Sequence, residues 1–90
     1  MNKAPILLGS TVISKAGRDE GRTFMVVQSL DDEYVLISDG ETHKMLKPKK
    51  KKRRHLKPVC EPTNEIISRL TDGQPVFDHE VRRWLSREEG

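Results

Sequence analysis

"TFMVVQSLDDEYVLISDGETHKMLK", residues 23–47, is the stretch whose reading decides the fold. Residues 23–29 and 33–38 are short runs of Val, Ile, Leu, Phe and Tyr bounded by Ser and Asp. Side chains of this kind pack well on a pleated, half-buried surface, so both runs are predicted strands. Asp31 and Asp32 mark the turn between them. "SDGE" reads as a hairpin turn, because Asp39 and Gly40 tolerate the positive φ of a type I′ turn, and it makes "THKMLK", residues 42–47, a predicted fourth strand. Neither of the first two runs alternates cleanly between apolar and polar residues. One set of side chains therefore faces a small interior, and the other set needs separate cover.

Upstream, "TVIS" (11–14) is a further strand, joined to the next by "KAGRDEGR" (15–22), where Gly17 and Gly21 permit a tight connection. Downstream, "HLKPV" (55–59) is a fifth strand that Pro58 is expected to end, since proline cannot donate to a ladder. About five strands at short spacing indicate a mainly β chain folded as a small barrel. The period then changes in "TNEIISRLTDG" (63–73): Thr63 is a predicted N-cap, Ile66, Ile67 and Leu70 share a face, and Gly73 suits the stop. A second helix is predicted after Asp78, with Val81, Trp84 and Leu85 on one face. The expected organisation is a barrel over 1–62 and a helical C-terminal extension over 63–90, the helices covering the apolar side chains that the barrel leaves outside.

Charge is distributed unevenly. The formal net charge is only +3, yet residues 44–57 hold nine Lys or Arg and no acid, while acids outnumber bases by seven to four on either side. A block of one sign repels itself, so it is expected to lie outside the packed elements and to find a polyanion as its partner. The chain has 33% hydrophobic and 34% charged residues, enough apolar side chains for one small core. A single cysteine, Cys60, rules out an internal disulfide framework and fits a reducing cytoplasm. "APILL" near the start is shorter than a signal-peptide core or a membrane span, so neither export nor membrane anchoring is expected.

Three ordered features carry a resemblance: a strand followed by "GRDEGR", a second strand leading to "DDEYVLI", and a basic run ending in "HLKP". Over roughly residues 9–62 the chain resembles the KOW domain of the archaeal and eukaryotic large-subunit ribosomal protein family numbered fourteen. The resemblance implies an SH3-like barrel that binds ribosomal RNA without catalysis. The longer lysine tract, the "VCEP" that follows "HLKP" and the last third of the chain depart from that pattern.

Chemistry read from the residues leads to the same class of partner. Lys and Arg near phosphates release condensed counterions, and this release supplies most of the affinity that does not depend on nucleic-acid sequence. Lys15, Arg18 and Arg22 surround the glycine turn and are expected to meet one backbone segment. Lys44, Lys47, Lys49, Lys50, Lys51, Lys52, Arg53, Arg54 and Lys57 are expected to follow another. Asp19 and Glu20 oppose a pure phosphate cradle at the turn. Phe24, Tyr34, Phe77 and Trp84 lie outside the basic stretch and are expected in the core, so stacking on single-stranded RNA is not anticipated. His43, His55, His79 and Cys60 have no zinc-site spacing, no cofactor motif is present, and no nucleophile or carboxylate pair stands out, so no metal, no cofactor and no enzymatic activity are expected. The expected function is binding of structured ribosomal RNA, mainly through its phosphates and by way of the basic loops, by a ribosome-associated, cytoplasmic monomer. The alternative is a protein-interaction module, an assembly or transcription–translation adaptor that docks a partner on the Trp84 face while the lysines tether RNA.

Overall fold

The computed structural model describes residues 6–89; residues 1–5 and 90, at the ends of the two expected units, lie outside the described residues. Five strands form one antiparallel sheet: Thr11–Ser14 (β1), Thr23–Ser29 (β2), Tyr34–Ser38 (β3), Lys49–Lys52 (β4) and Leu56–Cys60 (β5). Their order is β4-β3-β2-β1-β5, with a one-turn 3-10 segment, Arg53–His55, joining the two outer strands. The first three strands fall where the β-branched and aromatic runs place them.

The sheet curls around a single interior. Val12, Phe24, Val26, Val35, Ile37 and Leu56 form one buried cluster, which brings β5 and β3 together although two strands separate them in the sheet. Burying each such side chain contributes roughly 1.5–3 kcal/mol. The architecture is therefore a small, mainly β, barrel-like domain followed by two helices.

Three local expectations are corrected. Residues 42–47 form no strand; the fourth strand is the lysine run itself, Lys49–Lys52, so the basic block is partly built into the sheet. Within residues 41–48, backbone donors bind side chains and a local turn instead of a ladder. Asp39 Oδ1 accepts from the Glu41 and His43 N–H groups at 2.9 Å, Asp78 Oδ1 accepts from Met45 N–H at 2.7 Å, and Lys47 N–H closes a turn onto the Lys44 carbonyl. Gly40 has φ +74°, but no non-glycine residue among those described has positive φ, so Asp39-Gly40 is not a type I′ turn. Pro58 lies inside β5 opposite Val12, a position open to it because β5 is an edge strand of the sheet.

Two helices follow, Asn64–Thr71 (α1) and Asp78–Glu89 (α2). The Thr63 hydroxyl accepts from Ile66 N–H at 3.3 Å, the N-cap that the sequence indicates. Met25, on the outer face of β2, joins Ile66, Val76, Val81 and Leu85 in a second buried cluster, against which Val27, Met45, Leu70 and Trp84 pack. These helices thus cover the apolar side chains of β2 that the interior cannot hold. The docking is close: a Cβ on Gly40 would collide with the Asp78 carbonyl oxygen, and Arg82 Nη1 donates to the Gly40 carbonyl at 2.6 Å. Between the helices, Arg69 holds Glu80, whose carboxyl is lowered to about 2, first by that hydrogen bond and then by the Phe77 N–H.

Candidate nucleic-acid interface

Strand geometry splits the lysine run in two. Residues directly opposite in an antiparallel pair share a face. Lys49 and Lys51 pair with Ile37 and Val35, whose side chains belong to the interior, whereas Lys50 and Lys52 pair with Leu36 and Tyr34 on the outer face. Lys51 is only 9% exposed; its stem runs along the apolar interior and its ammonium reaches the rim, donating to the Ala16 carbonyl at 3.1 Å. Lys49 follows the same path and donates to Asp19 Oδ2.

Asp19 organises the 15–22 turn. It is 5% exposed, accepts from Lys49, and lies 3.9 Å from His43 Nε2. The Lys49 hydrogen bond is the main cause holding its carboxyl below the usual range, against the opposing pull of burial. Asp19 is therefore an internal counterion that ties the turn to β4, its charge met by Lys49 within the protein; Glu20 stays exposed. Arg22 Nη2 reaches Asp39 Oδ2 at 3.2 Å and Thr42 Oγ1 at 3.4 Å, so this arginine braces the next loop. Lys15 and Arg18 remain exposed.

Arg53 is also a brace. Its Nε donates to the Asp31 carbonyl and its Nη1 to the Ile6 carbonyl, both at 3.0 Å, and its Nη2 to Ser29 Oγ. Arg54 and Lys57 point to solvent, as do Lys44 and Lys47 on the 41–48 loop, where Leu46 stands 99% exposed between them. Several cations converge on the corner between β4 and β5. His55, in that corner, is held below its ordinary value by partial desolvation and then by Arg54, Lys51, Lys52 and Lys15.

Of the twelve predicted contacts, Lys49, Lys51, Arg53 and Arg22 are engaged by the protein itself. The other eight, Lys15, Arg18, Lys44, Lys47, Lys50, Lys52, Arg54 and Lys57, make no hydrogen bond or ion pair through their side chains among the described residues. What sequence reasoning missed is Tyr34. Pairing of β3 with β4 sets its ring on the outer face with Lys50 Nζ 4.3 Å and Lys52 Nζ 6.0 Å from the ring centroid. No local pattern could have indicated this, since the aromatic and the lysines lie 16 and 18 positions apart in sequence. Phe77 likewise is outside the core, 54% exposed and stacked on His79, while Phe24 is buried and Trp84 half-buried.

A surface of this kind offers ammonium and guanidinium groups as point charges at several positions, which is the chemistry that phosphate contacts require. No group of three or more His, Cys, Asp or Glu among the described residues is placed to hold a metal ion. No helix among them is long and apolar enough to cross a membrane. In comparisons with known proteins, no family model matches the chain and no curated protein matches it.

Proposed function

We propose that this chain is an RNA-binding protein that uses the β4 side of its barrel to contact a phosphate backbone. The observation that carries it is the division of the basic tract. The fold consumes Lys49, Lys51 and Arg53 as braces, and this base holds Lys50, Lys52, Arg54, Lys44 and Lys47 at the surface without an ion pair among the described residues, although Asp32 and Glu33 lie beside Lys52 and Arg54, and Glu41 beside Lys44 and Lys47. Exposed like charges held close together raise the free energy of the unliganded surface, and a polyanion relieves it. The barrel-like β architecture agrees with the SH3-like KOW fold that the sequence resembles. Ribosome association in the cytoplasm is the setting that this resemblance implies.

The test is RNA affinity across a salt series. Replacing Lys44, Lys47, Lys50, Lys52 and Arg54 with Gln lowers affinity tenfold or more, and flattens the slope of log K against log salt by roughly 0.7 for each single-strand phosphate left without a cation. Unchanged affinity and slope in a folded variant would sink the proposal. Sedimentation of a lysate at low and high salt then distinguishes a ribosomal partner, which carries the protein with large subunits, from free transcripts.

The protein-interaction alternative rests on the cleft between α1 and α2, floored by Met25, Ile66 and Val76 and bordered by Arg69, Glu80 and Trp84. A partner retained after nuclease treatment and lost on Trp84→Ala favours that reading.

A further inference from the structure

The helices cover only half of the sheet's outer face. Met25 and Ser38, paired across β2 and β3, are buried on the side where α2 docks. The register shifts between Val26 and Gln28, and beyond this bulge the next pair is Gln28 opposite Leu36. Two rows of side chains are left open there. Gln28, Leu36 and Lys50 form one row across β2, β3 and β4, and Tyr34 with Lys52 forms the row beside it. Leu36 and Tyr34 are half-buried and make an apolar floor, with the exposed Gln28 amide on one side and two ammonium groups on the other.

Resting on the nucleic-acid reading above, we propose that this open half-face is a stacking platform for an unpaired nucleobase, so that the RNA contacted here is single-stranded. Tyr34 is the stacking residue, Lys50 and Lys52 hold the adjoining phosphates, and the Gln28 amide is placed to meet a base edge. The ring is covered by Lys50 Nζ at 4.3 Å in the absence of RNA. An exposed contact of that type strengthens an equilibrium roughly two- to fivefold, whereas a base stacked on an aromatic side chain contributes roughly five- to 150-fold. A base therefore displaces the ammonium, and the freed ammonium moves to a phosphate of the same strand. A duplex offers no free base plane at this position and gains only the charge contribution.

The experiment compares an eight-nucleotide oligouridine with a blunt RNA duplex of equal length, using the full chain. Tyr34 is the only tyrosine, so its ring-proton NMR signals need no assignment by mutation. They shift upfield with oligouridine and much less with the duplex. Tyr34→Leu weakens oligouridine binding about fivefold or more beyond any loss for the duplex, and Tyr34→Trp restores it. If the parent binds both RNAs and Tyr34→Leu binds oligouridine equally well, this inference fails and the phosphate-binding proposal stands. If the parent binds neither RNA, both fail.

Discussion

Two faces of one four-residue strand, made of the same amino acid, behave as different materials. On the inner face of β4, Lys49 and Lys51 lie with Ile37 and Val35, their stems covering the end of the barrel and their ammonium groups closing onto Asp19 and Ala16. On the outer face, Lys50 and Lys52 flank Tyr34 and make no ion pair among the described residues. A lysine run is therefore neither simply a solvated loop nor simply a binding tract. Alternation of side chains along a strand turns every second residue toward the protein's own contacts and the rest toward the surface that we propose meets RNA.

The largest expected effect falls on the inner face. Lys51→Ala removes a buried stem and leaves the Ala16 carbonyl without its donor, and is expected to cost about 2–3 kcal/mol of stability, read from urea unfolding. A midpoint equal to that of the parent would erase the distinction between the faces. Next comes a matched pair. Lys50 and Lys52 changed together to Gln lower RNA affinity by about three- to tenfold, near 0.7–1.4 kcal/mol, and leave the unfolding midpoint in place. The same change at Lys49 and Lys51 chiefly lowers the midpoint.

Asp19→Asn comes third, at about 1 kcal/mol, because Lys49 loses its anionic acceptor while an amide oxygen remains. This variant also sharpens the pH behaviour. The Asp19 carboxyl is held below 3.8, so its contribution is complete above that value and is lost as pH falls through the lowered folded value. Glu80 acts in the same direction, its contribution disappearing between 4.5 and about 2. Acid unfolding of Asp19→Asn is accordingly shallower than that of the parent, with the Glu80 component left. Smallest of all is Lys50→Ala, which is expected to change stability by less than about 0.5 kcal/mol, since the exposed lysine only lies over a half-buried surface ring.

Sequence alone determined the elements whose causes are local. The β-branched runs at 11–14, 23–29 and 34–38 are strands because their side chains suit a pleated surface, and Thr63 starts a helix because its hydroxyl meets a nearby N–H. The apolar residues at both parities of β2 also announced a second cover, which α1 and α2 supply. The density of cations in residues 44–57 was legible in the same way, since charge is a property of composition. Only tertiary structure decided how that charge is used. Lysine has little preference for strands, yet β3 offers residues 49–52 an unpaired edge, while Asp39 and Asp78 satisfy backbone donors of the predicted strand at 42–47 and keep it a loop. Pairing then fixed which lysines turn inward, supplied Asp19 as their counterion and set Tyr34 among the outward ones. These assignments depend on contacts between residues far apart in the chain, and register across strands is a property that no window of sequence contains.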